Sequence, residues 1–252
     1  MTLEVLLPFL AVTALAGYFQ TVTGFGLGMI VIGVISGLDI VSVATVAAVV
    51  SLMTLVNSAV ALFGKLKHVH WPVAWAAIAG IVPAICAGVW LLGYMSASAS
   101  SLLSLLLGAV IIYGGASLAM RPSRKEEPSS RLSFLLAGVL SGLFGGLFGV
   151  AGPPLIYQCY RQPLSLISIR SMLIMFFACT AITRTLFIGI QGQLDAEIFI
   201  LTAWAIPVIA LATWLGRRFP PPLTPPIMRR LASVVLIGIG LGLIVPELIA
   251  FF

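Results

Sequence analysis

The chain has 252 residues, of which 61% are hydrophobic and only 8% charged, against about a quarter charged in ordinary soluble domains. That composition excludes a water-soluble enzyme or binding module, and at roughly 20 apolar residues per crossing it leaves room for about six to eight transmembrane helices. The formal net charge of +6 does not mark a nucleic-acid binder, because the basic residues lie in short connections between apolar runs, where positive-inside orientation accounts for them.

The start, Met1 to Glu4, has no basic region and no cleavage-site pattern after its apolar run, so the first segment reads as retained. Apolar runs then extend over Leu3 to Gln20, Leu27 to Gly37, Ile40 to Phe63, Trp71 to Tyr94 and Ser101 to Met120. A hydrophilic linker occupies 121–131. Apolar runs resume over Leu132 to Phe148, Pro153 to Tyr160, Leu164 to Ile190, Ile198 to Gly216 and Leu231 to Val245. The expected organisation is a first membrane repeat at 1–120, the linker at 121–131 and a second membrane repeat at 132–252.

Matching positions support the duplication. Gly17, Phe19 and Gly24 recur as Gly142, Phe144 and Gly149 at an offset of 125, while Pro83 and Trp90 recur as Pro207 and Trp214 at an offset of 124. The basic connections, Lys65 to His70, the linker, Arg161 and Arg217 to Arg230, fall on one side only if each broken element, Leu3 to Gly37 and Leu132 to Tyr160, is a hairpin followed by three crossings. The linker is then cytoplasmic and both termini external. Three crossings per half is odd, so the fold expected is all-α, with two inverted repeats, each a broken-helix hairpin plus three transmembrane helices.

The hairpin tips are Gly-rich. Thr21 to Gly28 forms the first, with Thr21, Thr23, Gly24, Phe25 and Gly26 as candidate ligands beside Gln20; Gly145 to Pro154 forms the second, with Gly149, Gly152 and Pro153 as candidates. Glycine permits a tight reversal, and proline at a helix start forfeits no hydrogen bond. Irregular backbone at membrane depth lines a cavity or is buried in protein, and the free N–H groups of the short helix after each tip suit an anionic oxygen ligand. The same glycines also suit close helix packing.

Arg170 and Arg184 both lie inside the Leu164 to Ile190 run, fourteen positions apart and roughly 21 Å along a helix. A guanidinium there either meets an anion, for which its fork of donors is matched, or snorkels and pairs with carbonyls. Ser51, Thr54, Asn57 and Ser58 are further polar positions, with Asn57 preferred as a ligand, and Thr180 and Thr183 flank Arg184. Every carboxylate maps to a loop or a run end, so no proton relay of the usual kind is expected. Cys86, Cys159 and Cys179 are isolated and read as small apolar fillers. His68 and His70 read as a solvated pair, so neither a metal nor a cofactor is expected.

At the broken helices, Gly17 to Gly28 and Gly142 to Pro154, the chain resembles the sulfite exporter TauE/SafE family of membrane permeases over nearly its whole length. The resemblance implies transport, without catalysis, of a sulfur oxyanion or organosulfonate such as sulfite or sulfoacetate. The reading is a transporter of the cell inner membrane that binds this anion at the two tips near the bilayer midplane. A passive anion channel or a membrane assembly partner is the alternative. Its partners are the small anion and membrane lipid, with no nucleic acid; assembly into a homo-oligomer is left open.

Overall fold

A computed structural model of the chain describes residues 3–23, 26–38, 41–62, 65–98, 100–119, 125–150, 152–219 and 225–250, and among them every regular element is helical. In chain order α1 is Leu3–Thr23, α2 Leu27–Gly37, α3 Val43–Leu62, α4 Trp71–Ser98, α5 Ser100–Ala119, α6 Arg131–Phe148, α7 Pro153–Tyr160, α8 Leu166–Ile190, α9 Ala196–Arg218 and α10 Pro225–Ala250. A long helix, a short helix and three long helices therefore follow one another twice.

Local chemistry sets these boundaries. Ser130 Oγ accepts from the Ser133 N–H at 3.3 Å, Ser165 Oγ from the Ser168 N–H at 3.2 Å, and Asp195 Oδ1 from the Ile198 N–H at 2.9 Å, so α6, α8 and α9 each start on a side-chain cap. Gly26 at φ 106° and Gly149 at φ 68° stand at the two breaks in the left-handed region that residues with a Cβ avoid. The breaks lie where the sequence put them, but the arms are unequal: 21 residues against 11 at the first, 18 against 8 at the second. Helix α10 begins six residues before the apolar run at Leu231, because two prolines fit a helical first turn.

Among the described residues six helices, α1, α4, α6, α8, α9 and α10, are long and apolar enough to cross a bilayer. The apolar parts of α3 (Val43–Ala59) and α5 (Ser101–Ser117) are at the short end of spanning length. Large apolar side chains point outward along these helices, with Leu15 70% and Ile190 85% exposed. In water such a surface would cost about 25 cal/mol per Å². The chain is an all-α integral membrane protein.

The residues group into two compact units, each drawing helices from both halves of the sequence. The first comprises Met1–Val50, Tyr94–Met120 and Leu194–Phe252; the second comprises Ser51–Gly93 and Arg121–Gln193. In the first, α1 and α9 pack parallel: Gly17 faces Ile209 and Ala212, and Gly216 faces Thr21 one turn further on. There too α5 and α10 pack antiparallel, with Gly108 against Ile244 and Gly240 against Ile112, a reciprocal contact of two Gly-x-x-x-Ile stretches.

Candidate anion-binding site

The second break belongs to the second unit and is held by a glycine seam. Gly138, Gly142 and Gly146, at every fourth position of α6, face α4, from which Gly80 and Gly88 face back. A Cβ on Gly142 would lie 2.6 Å from the Ile81 carbonyl oxygen, and one on Gly88 2.6 Å from that of Leu143. Backbone therefore touches backbone, and any larger residue would part the helices. Gly146 stands level with Ile85 and Gly88, near the middle of the 28-residue α4.

Against this seam α8 places Arg184, which is 1% exposed. Its Nε donates to the Gly146 carbonyl oxygen at 3.1 Å and one Nη donates to Ser51 Oγ of α3 at 3.3 Å. These bonds use two of the five N–H donors of the guanidinium. The acidic residues of this unit, Glu126 and Glu127, are exposed before the start of α6, more than about 20 Å along that helix from Gly146. Carbonyl and hydroxyl dipoles orient the cation but do not neutralise it. An unneutralised arginine at mid-helix costs about 2.5–3.5 kcal/mol on membrane-insertion scales.

The start of α7 is different from what its sequence suggests for a free helix end. Pro153 and Pro154 occupy the first turn and have no N–H, and the Leu155 N–H donates to Ser141 Oγ at 3.1 Å. The first-turn donors are thus absent or taken, and the positive charge at this break comes from Arg184. Gly149 and the buried Gly152 shape the reversal; Ala151 lies outside the described residues.

In the first unit the Leu27 N–H donates to Gln20 Oε1 at 3.2 Å, so Gln20 bridges the first break, and Thr21 Oγ1 donates to the Gly17 carbonyl at 2.8 Å. The next first-turn groups, the N–H of Gly28 and Met29, have no i−4 carbonyl inside α2. Gly24 and Phe25 lie outside the described residues, as does the side chain of Thr23.

Of the remaining expected ligands, Asn57 is exposed on α3 and Arg170 is exposed on α8, while Thr180 Oγ1 donates back to the Phe176 carbonyl at 2.9 Å. Sequence reasoning missed Ser141, and it missed the buried pair Gln158 and Gln162. Their i, i+4 spacing at the end of a short apolar helix was the available signal. Gln158 Nε2 donates to Ser133 Oγ at 2.8 Å, joining α7 to α6.

The sequence profile described as sulfite exporter TauE/SafE matches residues 9–243. The chain belongs to that family. A relative from Cupriavidus necator described as "Probable sulfite/organosulfonate exporter TauE" is 55% identical over 254 residues, covering 100% of this chain and 99% of the relative. No solved structure matches. Membership of the TauE/SafE family, with six helices fit to span a bilayer, makes the protein a multi-pass membrane transporter rather than an enzyme.

Proposed function

We propose that the protein exports a small sulfur oxyanion or organosulfonate, such as sulfite or sulfoacetate, across the cell inner membrane, with Arg184 as the charged ligand. The observation that carries this reading is the burial of Arg184 beside the second break, bonded to a carbonyl and a hydroxyl and with no carboxylate of its unit within reach. A sulfite or sulfonate group offers oxygens at the spacing of the guanidinium fork, and exchange of its hydration for fixed donors is the role the site can perform. The 55% identical relative, described as a probable sulfite/organosulfonate exporter, supports both the sulfur chemistry and the outward direction.

The inverted-repeat reading, with repeats at 1–120 and 132–252 and the linker 121–131 on the cytoplasmic side, belongs to the same proposal. The antiparallel packing of α5 on α10, helices at matching places in the two halves, supports it. The same reading assigns Gln20, Thr21, Thr23, Gly24, Phe25 and Gly26 at the first break to the substrate path. It assigns Gly149, Gly152 and Pro153 likewise at the second.

The test is flux from proteoliposomes loaded with sulfite or sulfoacetate. Saturable efflux by wild type, lost in Arg184→Gln at equal protein incorporation, supports the reading. Wild-type efflux by Arg184→Gln removes Arg184 from it, and efflux of neither anion by wild type rejects the sulfur assignment.

A further inference from the structure

At the other end of α7 from the break stands a second cation. Arg161 follows α7 directly, with its guanidinium carbon 5.3 Å from the centroid of the Tyr157 ring, and its Nε is buried with no hydrogen-bond partner among the described residues. Gln158 and Gln162, close to it in sequence, bond to α6 and to the segment before it. The Ser129 N–H donates to Gln162 Oε1 at 2.8 Å, Gln162 Nε2 donates to Ser129 Oγ and to the Gln158 carbonyl, each at 2.9 Å, and Gln158 Nε2 is spent on Ser133. The Lys125 N–H donates to the Arg161 carbonyl at 2.9 Å, so the segment before α6 is fastened across the end of α7. Glu126 and Glu127 belong to this segment, but both are exposed and Arg161 Nε donates to neither.

A buried, charged donor without an acceptor is unfavourable. The ring of Tyr157 lies against the guanidinium, whose Nε is left without an acceptor; in the fork of an arginine, Nε and one Nη point the same way. We propose that Arg161, stacked on Tyr157, forms a second oxyanion site, distinct from the one at Arg184. Its ligand carries sulfonate, sulfite or phosphate oxygens and has two sources, the transported anion or the phosphodiester of an anionic lipid. The eight residues of α7 separate the break from Arg161 by about 12 Å, so an anion held at Arg161 stands within one short helix of the break. The transported-anion source rests on the export reading above; the lipid source does not.

The full chain, delipidated in neutral detergent, is titrated separately with sulfite, sulfoacetate and phosphatidylglycerol, with phosphatidylcholine as control, while the unfolding midpoint is read. Wild type, Arg161→Gln, Arg184→Gln and the double variant are compared. Arg161→Gln is expected to raise the half-saturating concentration about tenfold or more for one ligand class. A loss confined to phosphatidylglycerol identifies lipid, and a loss with sulfite and sulfoacetate identifies the transported anion. Unchanged titrations of Arg161→Gln with all three ligands overturn the second site while leaving Arg184 untouched. An effect of Arg161→Gln without one of Arg184→Gln sustains it while the Arg184 reading fails. If Arg161→Gln does not fold, Arg161→Lys, which keeps the cation but not the donor fork, is judged by the same criterion.

Discussion

Arg184 Nε donates to the Gly146 carbonyl oxygen at 3.1 Å, and through this bond the charge on α8 is aimed by the last turn of α6. Removing the charge and keeping a polar side chain separates binding from folding. Arg184→Gln is expected to weaken anion binding at least about tenfold, as loss of a charge-assisted hydrogen bond does. Its ligand-free unfolding midpoint should be unchanged or higher, because an unneutralised buried charge has gone. Ligand titration and thermal unfolding of the purified variant check both halves of the prediction.

Ser51 touches the guanidinium, whereas Asn57, six positions along the same helix, is exposed. Ser51→Ala should therefore weaken anion binding by a few-fold, about 0.5–1.5 kcal/mol for one hydrogen bond, and Asn57→Ala should leave it unchanged. Equilibrium binding of the two variants side by side decides it; a larger loss in Asn57→Ala would move the site along α3.

The glycine seam predicts a contrast within one helix pair. A Cβ on Gly146 would collide with the backbone of α4 at Ile85 and Gly88, so Gly146→Ala should cost about 1–3 kcal/mol and displace the carbonyl that aims Arg184. Gly93, on α4 itself, has nothing within 4 Å of such a Cβ, and Gly93→Ala should be neutral or stabilising by up to about 1 kcal/mol. Denaturant or thermal unfolding in detergent measures the difference.

Ser141 is fully buried and accepts the Leu155 N–H. Ser141→Ala should strand that donor, at about 1–3 kcal/mol, and loosen the start of α7. Hydrogen exchange should show the Leu155 amide among the groups that lose most protection, with a smaller change at α4.

Most of the fold was legible because a bilayer imposes a simple rule: an apolar run of sufficient length becomes a helix, and glycine or proline interrupts it. The runs Trp71 to Tyr94 and Leu164 to Ile190 became α4 and α8 nearly residue for residue, and both Gly-rich breaks fell where read. The site was less legible. Arg170 and Arg184 sit in the same apolar run at nearly the same helical phase, yet one is exposed and the other buried. Arg184 is covered by α3 and α6, which are remote in sequence. Pro153 and Pro154 already announced that α7 begins without N–H donors; the glycines around them drew attention to backbone shape instead. That Leu155 would be capped from Ser141, fourteen residues earlier, depends on how α6 and α7 fold back, which periodicity does not specify.

The pairing of α1 with α9 has a consequence for synthesis. Helix α9 begins 173 residues after α1 ends, so at about 5–20 residues per second α1 waits roughly 10 to 35 s in the membrane before its partner is made. During that interval the glycine face at Gly17 is covered only by lipid or by the insertion machinery. The N-terminal half alone is thus an assembly intermediate with a vacant docking face, and quality control has its widest opportunity to remove the protein before the last two helices arrive.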